Sequence, residues 1–388
     1  MAQAQGGDDA ARGALGEPAF RFTCAAVRWP RSAARDEQLR ELAPGLDWAR
    51  VRHLAMRHRV GGLVAHAIAG AGLALDPEMD KWVAETQARI ARADALTALE
   101  TRRVLGALAQ RGIVPIVFKG QPLARLAYGE ARVKQAWDLD LLLARGEVAP
   151  AVEALAALGY RGNFPRGVST AVLDFRHELT LQHPDDGLAV EPHWHASLIP
   201  RLPHGIGTRR AGVRIDDGQG VDTLAKEDWL PYLALHGATS LWARLKWLAD
   251  FDALLAQLSD SEIETLPEVA ASRGVGPAMV LALALRTRVF GPLQPPAVQE
   301  QLTRSWSLRL LLRWSEQALT APRATIPLAR VHAHRLLLAS CHGRFWALAL
   351  RLLASPASLQ RFALPRALYW LYPLLRIVDL PFRALRRS

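Results

Sequence analysis

"VKQAWDLDLLLA", residues 133–144, sets Asp138 and Asp140 one residue apart in a run of leucines. An unpaired charge in apolar surroundings is costly, so the pair needs a reason. On a strand, residues i and i+2 project to the same face. The stretch therefore reads as a strand with both carboxylates on one face and Leu139 and Leu141 on the other. Two like charges this close repel unless a cation lies between them. Mg²⁺ suits the position, because it takes one or two carboxylates together with substrate phosphates. The simpler alternative is a pair of aspartates solvated at a strand end. Repulsion between them also predicts that asparagine at either position raises the melting temperature of the metal-free protein.

Outward from this strand the texture stays mixed. "IVPIVF" (113–118) is a short β-branched run, and Lys119-Gly120 follows it at the start of a short helix. Glycine permits close backbone approach, a helix start favours an anion, and lysine adds a point charge for phosphate. "EVAPAVEALAALGY" reads as a helix ending at Gly159. "HELTLQH" (177–183) and "LAVEPHWH" (188–195) read as strands joined around "PDDG", whose Asp-Gly favours a hairpin turn. Glu191 lies on the second of these. If that strand pairs beside the aspartate strand, three carboxylates converge, enough to hold two metals for an in-line displacement.

Helices flank this unit. "DWARVRHLAMRHRVGGLVAHAIAGAG" and the long stretch from Pro77 to Gly112 carry apolar residues at helical spacing, with proline and glycine suited to start and stop. After residue 222 the chain reads helical to its end, with Thr223 and Asp228 as candidate caps. The expected class is α+β: a small mixed sheet embedded in a mostly helical protein. The expected boundaries are a disordered tail over 1–19, a helical region over 20–110, the α/β core over 111–200, and a helical region with a basic end over 201–388.

The 388 residues carry a net charge of +11 and two cysteines, Cys24 and Cys341. Two cysteines make neither a disulfide framework nor a CxxC knuckle, as in a reducing compartment, and the expected location is cytoplasmic. The start of the chain lacks the apolar region of a signal peptide, and no run of 18 uncharged apolar residues predicts a membrane span. From residue 301 onward there are 14 arginines, no lysine and two acids, so this end carries the excess charge.

The ordered set strand–"KG"–helix–"DLDLLL"–helix–"LGY"–strand–"VEPHW", with "LALHGATSLWARLKWLADFDALL" downstream, resembles the uncharacterised nucleotidyltransferases of the polymerase-β-like superfamily over roughly residues 40–260. The resemblance implies that Asp138 and Asp140 are the metal pair and Glu191 the third acid, which helps hold the metal or activates the attacking group. It implies that Lys119 and Gly120 face nucleotide phosphates, with an NTP as substrate and Mg²⁺, one ion or two, as cofactor. One position departs from the pattern. The family usually has Arg four residues before the first Asp; here that residue is Lys134, with Arg132 two residues earlier. Lysine lacks arginine's planar bidentate contact, so either Arg132 substitutes or phosphate binding weakens. The implied reaction moves a nucleotidyl group to an acceptor hydroxyl. The acceptor, the NTP and the oligomeric state are left open.

Other features have weaker claims. His193 and His195 share a face with Glu191, which suggests zinc; the simpler reading has His193 beside Glu191 and His195 solvated. His236, Trp242, Trp247 and Asp250 read as packing, with His236 or Asp250 lining an acceptor pocket as the alternative. The C-terminal arginines are scattered, which disfavours nucleic acid. "LPRALYWLYPLLRIVDLPFRALRRS" alternates aromatics (Tyr369, Trp370, Tyr372, Phe382) with arginines. It either packs on preceding helices or touches an anionic membrane peripherally. Two alternatives to the enzyme therefore stand: a non-catalytic nucleotide- or partner-binding member of the same fold, and a peripheral membrane-associated helical protein.

Overall fold

The computed structural model describes residues 15–375 except 130–131, 135–137, 163–166, 186–187, 217, 219, 294, 322–325, 355–357, 360–361 and 363. The chain opens with helices α1 (Pro18–Ala26), α2 (Ala33–Leu42), α3 (Trp48–Arg57), α4 (Gly61–Ala71) and α5 (Pro77–Ala109). Short polar side chains start three of them: Ser32, Asp47 and Asp76 accept the main-chain N–H groups of Arg35, Arg50 and Met79, as good N-caps do. Pro77 occupies the first turn of α5, and Gly112 just beyond its end has φ +70°.

The mixed sheet follows. It holds β1 (Ile116–Val117), β2 (Asp138–Leu142), β3 (Leu181–Gln182) and β4 (Ala189–His193) in the order β1-β2-β4-β3. β1 runs antiparallel to β2, β2 parallel to β4, and β3 antiparallel to β4. Between these strands lie α6 (Gly120–Tyr128), α7 (Val148–Ala157) and α8 (Thr170–Phe175). The expected hairpin joins β3 to β4, with Asp186 and Gly187 of its turn outside the described residues.

The sheet divides two cores. Leu139, Leu141 and Val190 pack with Val104 and Leu108 of α5 and Val148, Ala151 and Leu155 of α7. Ile116 and Phe118 instead join the larger helical core. That division accounts for aspartates among leucines: the leucines of β2 face the smaller core, and the aspartates face the other way.

Beyond the sheet the helical reading needs correction. A two-stranded antiparallel sheet, β5 (Arg210–Arg214) and β6 (Gly220–Leu224), precedes α9 (Lys226–Thr239). Thr223 is therefore a strand residue, and the residue preceding α9 is Ala225. Asp228 is buried, accepts the Gly207 N–H and pairs with Arg273. The strands are short, alternate only loosely and abut a Gly/Asp-rich connection. Their signal is weaker than the helical pattern that follows. Helices α10 (Leu245–Leu255), α11 (Asp260–Ser272), α12 (Gly276–Phe290), α13 (Pro296–Arg304), α14 (Trp306–Thr320), α15 (Leu328–Cys341) and α16 (Phe345–Leu353) complete the fold. Tyr369 and Tyr372 pack edge-on against Phe175, whereas Trp370 is exposed. Phe382 and the arginines from Arg376 onward lie outside the described residues. Among the described residues no helix is long and apolar enough to cross a membrane.

His58, after α3, is fully buried, and its Nδ1 accepts the Leu245 main-chain N–H. Burial, then the neighbouring Arg57 guanidinium, pushes its pKa down to about 3. Burial also takes His334 to about 4. The unfolded chain binds protons on these rings below about pH 6.5, whereas the folded chain does not. Stability is therefore full above that pH and is lost as pH falls toward the folded values. At pH 5, His58 alone should cost about 2 kcal/mol. Melting temperatures at pH 7.5 and pH 5 check this: His58→Gln, which keeps an acceptor but does not titrate, should show a smaller acid loss than the parent.

Candidate active site

The site is built where β2 and β4 lie side by side. Their register sets Asp140 opposite Glu191 and Leu142 opposite His193. Paired residues on neighbouring strands share a face, so Asp138, Asp140, Glu191 and His193 all project the same way. Lys119 and Gly120 arrive from the end of β1, where Lys119 precedes α6 with φ +67°. Positive φ strains a residue bearing Cβ. The contact at the end of this side chain shows what the backbone holds in place: Lys119 Nζ is 2.5 Å from Asp140 Oδ1.

Asp140 is the hub. It is 2 % exposed, and its Oδ1 also meets His193 Nε2 at 2.9 Å. Burial alone would raise its pKa, but Lys119 and then His193 outweigh that and hold it well below the usual carboxylate range. Burial opposes the charge on Lys119, yet Asp140 keeps its pKa well above normal. Burial and Lys119 oppose protonation of His193, but its bonds to Asp140 and Glu191 raise its pKa. Glu191, with Oε2 3.8 Å from His193 Nε2, has its pKa raised chiefly by burial. Glu178 completes the cluster: it lies 3.3 Å from His193 Nδ1 and 3.2 Å from His177 Nε2. Burial is again opposed there, and His177 with His193 holds Glu178 low.

Asp140, Glu191 and His193 each offer a ligand atom, and the three atoms lie within 4.8 Å of one another. Asp140 Oδ2 is buried without a hydrogen-bond partner among the described residues. A buried carboxylate oxygen in that state costs free energy that a cation would recover, so the donor set fits a divalent ion. Asp138 sits two residues earlier on the same face, half-buried, and lines a small cavity with Asp140, Lys119 and Gly120.

The other expected phosphate-side residues part company. Lys134 forms an ion pair with Asp250 of α10, which also accepts a hydrogen bond at 2.9 Å from Tyr128. Arg132 is exposed. Sequence reasoning gave little weight to several neighbours. His193 contacts Asp140 more closely than Glu191. His195 is half-buried, not solvated, and burial with nearby Arg351 takes its pKa to about 4. His236 of α9 and Glu178 line a cavity of about 380 Å³ beside Lys119 and His193. The "EPHW" stretch was the available signal for His193. Glu178, which lies before β3 and bridges to His193, had none beyond being an acid in the stretch "HELTLQH".

Residues 44–291, more than half of the chain, match the model of a family described as uncharacterised nucleotidyltransferase. No curated protein and no solved structure matches.

Proposed function

Because the chain belongs to the uncharacterised nucleotidyltransferase family, we propose that it transfers a nucleotidyl group from an NTP to the hydroxyl of an acceptor. The observation that carries the reading is the β2–β4 register. It aligns Asp140 with Glu191, leaves Asp138 on the same face, and buries an Asp140 oxygen that has no hydrogen-bond partner among the described residues. Mg²⁺ held by Asp138, Asp140 and Glu191, as one ion or two, supplies neutralisation of phosphate charge when bound. His193 orients Asp140 and Glu191 through Nε2. Lys119 offers a point charge to phosphate oxygens, and Gly120 opens the main chain at the start of α6 to the triphosphate. Asp250 already neutralises Lys134, so Arg132 takes the role of the family's arginine.

The acceptor oxygen bonds to the α-phosphorus. The bond from that phosphorus to the α–β bridging oxygen breaks, and pyrophosphate leaves with the electron pair. The acceptor's proton passes to Glu191 where that carboxylate activates the acceptor instead of holding the ion.

One observation favours a member that binds without transferring: Lys119 already neutralises Asp140 internally. Incubation with α-labelled NTPs, Mg²⁺ and cell extract separates the two readings. Transfer predicts a labelled product that disappears with EDTA. Retained NTP binding with no labelled product would leave the non-catalytic reading standing.

A further inference from the structure

The cavity of about 380 Å³ shares Lys119 in its lining with the small cavity lined by Asp138, Asp140 and Gly120. Its size is within the range of small-molecule pockets. Three arginines from separate elements line it: Arg176 after α8, Arg335 on α15 and Arg351 on α16. None of the three has a carboxylate within ion-pair distance among the described residues. Arg335 Nε donates to the Thr239 carbonyl at 3.0 Å, and Arg351 Nη1 is buried with no hydrogen-bond partner among the described residues. Burial pushes Arg351 down to about 10 and lowers Arg335 as well. Glu178, an acid lining the same cavity, is already held by His177 and His193. Glu178 acts on Arg335 and Asp174 on Arg351 only from beyond ion-pair distance, and half-buried guanidinium groups so weakly compensated favour an anion that joins them. Arg335 and Arg351 also lie beyond residue 291, outside the family match.

We propose that this cavity receives the acceptor, and that the acceptor is a small hydroxyl compound bearing a phosphate or carboxylate group that Arg176, Arg335 and Arg351 grip. The proposal rests on the nucleotidyl-transfer reading and adds the class of acceptor. The C-terminal helices α15 and α16 carry two of the three cations that would choose the substrate.

Arginine footprinting on the full chain tests the pocket without relying on turnover. Phenylglyoxal modification would be followed by peptide mass spectrometry with inorganic phosphate, citrate or glycerol as probe. Phosphate or citrate should protect Arg176, Arg335 and Arg351 together and leave the exposed Arg304 unaffected, while glycerol protects none. The protecting anion distinguishes a phosphorylated from a carboxylated acceptor. Equal modification with and without both anions, or equal protection of Arg304, would overturn the proposal.

The double variant Arg335→Met with Arg351→Met should keep Mg–NTP binding by equilibrium dialysis. It should lose about 100-fold in labelling of the extract product, since two charge-assisted contacts are removed. A labelled product that is uncharged before transfer, made by this variant at the parental rate, would also overturn it. Anion protection without any labelled product would uphold the anionic pocket and sink nucleotidyl transfer instead.

Discussion

Asp140→Asn is expected to lower nucleotidyl transfer on the order of 10³-fold, because metal-assisted charge stabilisation supplies several kcal/mol. It is also expected to destabilise the metal-free protein. This reverses the expectation drawn from repulsion between the two aspartates. Lys119 Nζ at 2.5 Å and His193 Nε2 at 2.9 Å both converge on Asp140 Oδ1, so the dominant interaction there is attraction. Asparagine leaves the Lys119 ammonium without its counter-charge, a loss of about 1–3 kcal/mol. Adding Lys119→Met should recover most of that stability and none of the transfer. Melting curves and labelled-NTP transfer on the parent, the single and the double variants check both halves. An Asp140→Asn protein with the parental rate would place the chemistry elsewhere.

Asp250→Ala should produce the largest stability loss. The carboxylate is 3 % exposed and serves both Lys134 and the Tyr128 hydroxyl. Removing one partner of a buried pair strands the other charge, at a cost of about 3–5 kcal/mol. Lys134 stands four residues before Asp138, and transfer should fall with stability. The double variant Asp250→Ala with Lys134→Met removes both charges and should regain most of the loss. Urea unfolding decides the matter: a single variant within about 1 kcal/mol of the parent would show that the pair is solvated in practice, as surface pairs are.

These two residues also mark where sequence reasoning succeeds. Asp250 was visible as part of a helical motif, yet nothing local connected it to Lys134. The same holds across the site. The alternation of β2, the Lys119-Gly120 turn, the Pro77 start of α5 and the β3–β4 hairpin are local signals, written in side-chain periodicity and backbone preference over a few residues. They suffice for the α+β class and for setting Asp138 and Asp140 on one face and the leucines on the other. The β5–β6 pair escaped because short, loosely alternating strands leave little local pattern.

By itself, then, the amino-acid sequence determined which residue types the strands present and on which side. Tertiary structure alone decided which groups meet. The parallel pairing of β2 with β4 brings Glu191 to Asp140 and, with it, His193. The packing of α10 against α6 brings Asp250 to Lys134. The closure of α15 and α16 carries Arg335 and Arg351 to the cavity beside Lys119. The reason is physical. Periodicity is imposed by backbone geometry over neighbouring residues, whereas the partner of a buried charge is chosen by packing. The cores on either side of the sheet bring distant segments together, and each buried charge then pairs with whichever opposite charge that packing delivers.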